Sequence, residues 1–176
     1  MSKITDYIKK INNKESLSAM ESYSAFISIM SGDCIDDDIS KFLLGLKNKG
    51  ESVDEIVGAV RAIRGKMTAI KVPDGTIDIV GTGGDGKGTL NISTASALVT
   101  AGAGIKVAKH GNKNISSKSG AANILEALGI NIMMDPKIAK QSLDQIGICF
   151  MMAPLYHPAM KNVICLLYTS PSPRDS

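Results

Sequence analysis

Asp78-Ile79-Val80-Gly81-Thr82-Gly83-Gly84-Asp85-Gly86, with Asn91-Ile92-Ser93-Thr94 and then Lys109-His110-Gly111-Asn112 after it, is the stretch from which the rest of this chain is read. Residues 77–80 have the β-branched content of a buried strand. The glycines that follow can take positive φ, so backbone N–H groups can approach an anion with no Cβ in the way. Asn91 to Thr94 then opens an expected helix over 95–103, whose first N–H groups and dipole favour negative charge. The combination reads as a site for a phosphorylated ligand.

Gly81 to Gly86 also satisfies the dinucleotide pattern GxGxxG, which makes an NAD site the obvious rival. Such a site needs an acidic residue roughly 20 positions on to hold the ribose hydroxyls. No Asp or Glu occurs between Asp85 and Glu126, whereas Lys87, Lys106, Lys109, Lys113, Lys118 and His110 all fall there. Lysines without acidic partners in the same interval suit a ligand with several phosphates. Taken alone, the loop also reads as a tight turn with incidental surface lysines. The two later motifs weigh against that.

Working outward, 176 residues make one ordinary domain, or a small domain and part of a second. Hydrophobic residues at 44% and charged residues at 21% are those of a soluble globular protein. The formal charge of +3 is mild, and with no Trp, three Phe and four Tyr the lysines are not interleaved with aromatic residues, so nucleic-acid binding is a poor reading. Cys34, Cys149 and Cys165 are odd in number and lack CxxC spacing, which argues against disulfides or zinc and for a reducing cytoplasm. The start of the chain has no apolar core of a signal peptide, and no apolar run approaches the roughly 20 residues that span a bilayer; no membrane association is expected.

Residues 1 to about 70 predict four helices. Ile4, Tyr7, Ile8 and Ile11 form one apolar stripe, and Met20, Tyr23, Ile27 and Met30 form another within 17–30. Gly32 should stop the second helix, and Gly50 the third, which spans 36–47 with Ile39, Phe42, Leu43 and Leu46 inward. Asp36, Asp37 and Asp38 read as an N-cap and first-turn charge rather than as a metal cluster, because three consecutive positions do not share a helix face. Ser52 and Glu55 predict a capping box for a helix over 53–70 with Ile56, Val57, Val60, Ile63 and Met67 buried. These stripes are core or dimer-interface positions. After the turn at 72–75, strands are expected at 77–80, 105–108, 130–133 and 148–152, alternating with helices at 95–103, 121–128 and 136–146. That alternation means parallel βαβ units with ligands at the carboxyl ends of the strands.

Taken together, GTGGD (81–85), NIST (91–94), KHGN (109–112), SSKSG (116–120), LEALG (125–129) and APLYHPAM (153–160) resemble the anthranilate phosphoribosyltransferases of tryptophan biosynthesis, over residues from about 17 to 163. The pyrimidine nucleoside phosphorylases are similar in fold but lack the spacing from KHGN to SSKSG. The resemblance implies an α/β protein: a helical, dimerising domain over 1–71, then the first part of a parallel α/β domain, nucleoside phosphorylase and phosphoribosyltransferase-like, over 72–164. It implies transfer of phosphoribose from phosphoribosyl pyrophosphate to the amine of anthranilate, in a cytoplasmic homodimer using Mg2+.

By the same resemblance, phosphoribosyl pyrophosphate falls to Gly81, Thr82, Gly83, Gly84, Asp85, Thr89, Asn91, Ile92, Ser93 and Thr94. It falls further to Lys109, His110, Gly111, Asn112, Lys113, Asn114, Ile115, Ser116, Ser117 and Ala121. Anthranilate falls to Gly81, His110, Asn112 and His157, and Mg2+ to Ser93, whose hard oxygen suits an ion that also holds diphosphate. His157 reads equally well as a helix-start residue ahead of Pro158. Two departures stand out. Asn123 replaces a customary Asp in the first helical turn after SSKSG, and from about residue 165 the chain reads Cys165-Leu-Leu-Tyr-Thr-Ser-Pro-Ser-Pro-Arg-Asp-Ser176. There the family has an Arg at the place of Leu167 and, beyond, an acidic pair for magnesium. The tail is Ser- and Pro-rich and expected to be disordered, and the chain as it stands is expected to be inactive, a non-catalytic phosphate-binding or dimerising fragment being the other reading.

Overall fold

The computed structural model describes residues 3–81, 91–113 and 120–163. These form two compact units, one of residues 3–67 with 157–163, the other of the described residues from 68 to 156. The expected boundary near residue 72 left 157–163 in the α/β part, yet Asn162 Nδ2 donates to the Met30 carbonyl at 2.9 Å and Val163 joins the helical core.

The helical unit contains α1 (Lys3–Asn12), α2 (Ala19–Ser31), α3 (Asp36–Lys49) and α4 (Val53–Gly65), with a short 3-10 turn over Pro158–Met160. Local chemistry sets most of the ends. Ser52 and Glu55 make the expected capping box, and an unanticipated second one, Ser18 with Glu21, starts α2. Gly32 takes the left-handed conformation at φ 80°, which frees its N–H to cap α2. None of the three aspartates caps α3: Ile35 holds the N-cap position, and Asp37 instead pairs with Lys41 one turn on. The core gathers Ile4, Ile8, Ile11, Leu17, Ile29, Ile39, Phe42 and Leu46, with Phe26 edge-on to Phe42 at 5.6 Å between ring centroids.

The buried face of α4 differs from its apolar stripe. Ile56 and Val60 are about half exposed and Met67 lies beyond the helix, whereas Glu55, Gly58 and Ala62 are buried. On α2, likewise, Met20 and Tyr23 are exposed while Ser22, Ala25, Ile29 and Met30 are buried. The reason is close crossing. Ser22 Oγ donates to the Glu55 carbonyl at 2.6 Å, so these helices meet through small and hydrogen-bonded residues that hydropathy undervalues.

The second unit contains α5 (Ile92–Gly102), β1 (Val107–Gly111), α6 (Ala121–Ala127), α7 (Pro136–Ile146), β2 (Ile148–Met152) and α8 (Ala153–Tyr156). β1 and β2 are parallel, in register from Val107 with Ile148 to Gly111 with Met152. Side chains alternate across the sheet: Phe150 and Met152 pack with Ala122 and Leu125 of α6, and Cys149 packs with Ala139 and Leu143 of α7. The two helices therefore cover opposite faces.

Two expected strands change. Of residues 77–80, only Ile77 pairs, in a single parallel bridge with Val107. Residues 130–133 form a bend, in which Asn131 Oδ1 accepts the Met133 N–H at 3.0 Å and offers the backbone a local partner in place of a ladder. The strand expected at 105–108 begins at Val107 and runs through Gly111, because β2 pairs along that whole length. Lys109, His110 and Gly111 are thus strand residues.

Candidate functional site

Segment 77–81 lies along β1. The Ile77 N–H donates to the Lys106 carbonyl at 3.0 Å, and the Ala108 N–H donates to the Ile77 carbonyl at 2.9 Å. Past the bridge, side chains continue the attachment. Asp78 Oδ1 accepts the His110 N–H at 3.1 Å, and Lys109 Nζ donates to the Ile79 carbonyl at 2.6 Å. A strand-end clasp thereby fixes the backbone leading into Gly81, at the carboxyl end of a parallel sheet where ligands of α/β folds bind.

Lys109 is only 3% exposed. Burial pushes its pKa down and the Asp78 charge pushes it back up, with a net lowering. An ammonium has three donors, and the Ile79 carbonyl takes one. The lysines of this region are less isolated than the acid-free interval implied: folding brings Asp78 to Lys109 from before the interval, and Glu126 to Lys113 at 3.0 Å from its far end. The second pair is half exposed, so it tempers the local field more than it stabilises the fold. Cys149 on β2 has its thiol pushed up to about 11, by burial first and then by Asp78, and is no nucleophile.

At the start of α5, Asn91 Oδ1 accepts from Thr94 Oγ1 at 2.8 Å and from Ser93 Oγ at 3.4 Å, and makes no cap bond to the helix backbone. The Ser93 hydroxyl lies 3.9 Å from where a Cβ on Gly81 would stand, so loop entry and helix start adjoin. Ile92 points to solvent and Thr94 is buried. Among the described residues, no group of three or more His, Cys, Asp and Glu could hold a metal ion. Mg2+ needs near-octahedral oxygens. At this end of the sheet the Ser93 hydroxyl is one hard oxygen of the kind such an ion takes.

At the far end of β1, the Asn112 carbonyl accepts the Ala122 N–H at 3.3 Å, and Asn112 Oδ1 accepts the Lys113 N–H at 2.8 Å. This ties KHGN to the first turn of α6. Asn123 Oδ1 accepts the Gly120 N–H at 3.0 Å, so the amide standing where an Asp is customary keeps the capping bond and loses only the charge.

Gly81, Asn91, Ile92, Ser93, Thr94, Lys109 to Lys113 and Ala121 belong to one unit. His157 belongs to the helical unit, where it holds the N-cap position of the 3-10 turn with Pro158 next. Thr82, Gly83, Gly84, Asp85, Thr89, Asn114, Ile115, Ser116, Ser117 and the tail from Cys165 lie outside the described residues. Sequence reasoning missed the role of Asp78. The available signal was a lone carboxylate inside an apolar run.

Two family models match: the helical bundle domain of a glycosyl transferase family over residues 5–67, and the a/b domain of that family over 74–167. Among curated relatives, the anthranilate phosphoribosyltransferase of Sinorhizobium medicae is 49% identical over 163 residues, covering 93% of this chain and 48% of the relative. That of Geobacillus kaustophilus is 51% identical over 155 residues, 88% of this chain and 46% of the relative. Among solved structures, the Thermus thermophilus anthranilate phosphoribosyltransferase superposes with a TM-score of 0.85 at 36% identity, over 97% of this chain and 53% of that one. The Saccharomyces cerevisiae enzyme in complex with PRPP and Mg gives 0.83 at 28% identity, over 96% and 52%. The chain spans about half the length of these relatives. With both domain models matched in order and most of its residues inside them, the chain belongs to this glycosyl transferase family.

Proposed function

We propose that this chain supplies the helical domain (1–71) and the phosphoribosyl-diphosphate-binding part (72–164) of an anthranilate phosphoribosyltransferase. The observation that carries the reading is the clasp of Asp78 with His110 and of Lys109 with Ile79, which sets the glycine-loop entry, the α5 start and KHGN side by side at the carboxyl end of the sheet. In the reaction, C1 of the ribose breaks its bond to a diphosphate oxygen, forms one to the anthranilate nitrogen, and that nitrogen loses a proton. Charge develops on the departing diphosphate, and fixed donors aimed at it lower the barrier. Lys109, Ser93 and the N–H groups of the loop and of α5 supply those donors. His110 and Asn112 hold the acceptor ring so that its amine faces C1. Mg2+, when bound with the diphosphate, would neutralise further charge, with Ser93 as its ligand from this chain.

Lys109→Ala removes a charge-assisted contact and is expected to raise the Kd for phosphoribosyl pyrophosphate by roughly 10- to 150-fold, about 1.5–3 kcal/mol. Gly83→Val should act in the same direction by blocking backbone approach. Calorimetric titration reads both, and unaltered affinity in either would remove the diphosphate assignment.

Acceptor selection should depend on His110 and Asn112. Alanine at either is expected to raise the KM for anthranilate while leaving that for phosphoribosyl pyrophosphate nearly constant. The reverse pattern would put KHGN wholly on the phosphate side, and phosphorolysis of thymidine or uridine would transfer the chain to the nucleoside phosphorylases.

Homodimerisation through the helical unit accords with the exposed apolar side chains of Met20 and Tyr23 on α2 and of Val53, Ile56 and Val60 on α4. The free cysteines Cys34 and Cys149 accord with a reducing cytoplasm.

A further inference from the structure

Gly111 is the one residue of KHGN without a side chain, and the structure fills its place. A Cβ built there would stand 2.8 Å from Cε2 and 3.1 Å from Cζ of Phe150, and 3.3 Å from Cβ of Ala121. A glycine inside a strand commonly marks such a close approach. The register explains it. Lys109 is the partner of Phe150 and Gly111 of Met152, and residues two apart share a sheet face, so the Phe150 ring lies on the face that carries Lys109 and Gly111. Phe150 is 4% exposed and is packed by Ala122, Leu125 and Met152, so the ring has little room to yield.

We propose that Phe150 is a positioning residue: its ring occupies the space of the missing Gly111 side chain and thereby sets the separation between the KHGN strand end and the first turn of α6. Two independent contacts converge on that separation. The Asn112 carbonyl accepts the Ala122 N–H, and Ala121 itself touches the Gly111 position. Phe150 reaches no ligand in this role. It acts through Gly111 and Asn112, and the proposal rests on the assignment of KHGN to the substrates.

The test is a double-substitution cycle in the intact enzyme. Gly111→Ala adds a methyl that the ring forbids, and kcat/KM for anthranilate is expected to fall by about 10-fold or more per folded molecule. Phe150→Leu removes the two ring atoms that the methyl would strike. Combined with Gly111→Ala, it should restore kcat/KM to within about 3-fold of the unsubstituted enzyme, with a coupling between the sites well outside additivity. Phe150→Leu alone separates this from a merely structural role: a positioning ring predicts a raised KM for anthranilate with that for phosphoribosyl pyrophosphate nearly unchanged, whereas a merely structural one predicts a lower unfolding midpoint with both constants kept. Hydrogen exchange at the Ala122 amide is the second readout: faster in Gly111→Ala, and recovered in the double variant. Should the unsubstituted enzyme release no pyrophosphate with anthranilate, the proposed reaction fails while the exchange comparison still decides the role of Phe150. A tolerated Gly111→Ala, or a double variant as impaired as the single one in both readouts, overturns the inference.

Discussion

Replacement of Glu55 by Ala is expected to lower the stability of the helical unit by about 3–5 kcal/mol, because it breaks a buried ion pair and strands its partners. The carboxylate accepts the Leu17 N–H at 2.9 Å, the Ser52 N–H at 2.7 Å and the Lys49 ammonium at 2.9 Å. The two side chains of the pair are only 1% and 5% exposed. Removing the carboxylate leaves the buried Leu17 N–H and the part-buried Ser52 N–H without that acceptor, and the Lys49 ammonium with the Gly50 carbonyl at 2.7 Å and the Ser16 hydroxyl at 3.4 Å as its remaining contacts. The group ties the chain before α2, the end of α3 and the start of α4 to a single point. Burial alone would raise its pKa, but the hydrogen bonds from Leu17, Ser52 and Lys49 outweigh that and hold the carboxyl below the ordinary range. A depressed folded pKa contributes stability that is complete above the unfolded value of about 4.3 and is lost as pH falls through the folded value. Glu55→Gln should therefore flatten stability against pH in that acid window. Urea unfolding followed by helical circular dichroism, at neutral pH and across the acid range, measures both effects. A loss below about 1 kcal/mol for Glu55→Ala would contradict the account.

Gly58→Val should be nearly as damaging, at about 3 kcal/mol or more, from overpacking. A Cβ at this position would fall on the Ala19 carbonyl oxygen and stand 2.6 Å from Ser22 Cβ and 2.7 Å from the Tyr23 nitrogen. Two of these three neighbours are backbone, which cannot rotate away. Relief requires α2 and α4 to separate, and that would stretch the Ser22 hydroxyl bond to the Glu55 carbonyl. Val at Ala59, half-buried one position on, is the comparison. Equal unfolding midpoints for the two variants would show that the crossing at Gly58 is not tight.

In the site, the sequence pointed to segments, and the structure supplied what holds them. NIST and KHGN were legible because glycine, hydroxyl and basic residues at fixed offsets carry a local chemical meaning. Asp78 was not, because its partner His110 is 32 residues away and meets it only when 77–81 lies against β1. The same holds for Phe150 and Gly111, which meet only once β1 and β2 are paired in register.

By itself, the sequence determined the division into a helical part and a parallel α/β part, the stops at Gly32 and Gly50, the capping box at Ser52, the helix at Pro136–Ile146 and the strand at Ile148–Met152. The caps and stops are set by backbone preferences and by hydrogen bonds that reach only three or four residues, and the helix and the strand by runs and spacings of apolar residues. The tertiary structure alone decided that α2 and α4 meet through Ser22, Glu55 and Gly58 rather than through their larger apolar residues, and that 77–81 is held to β1 by one bridge and by the side chains of Asp78 and Lys109. Both outcomes depend on how closely one element can approach another and on which polar groups find a partner there, and a one-dimensional pattern of hydropathy contains neither.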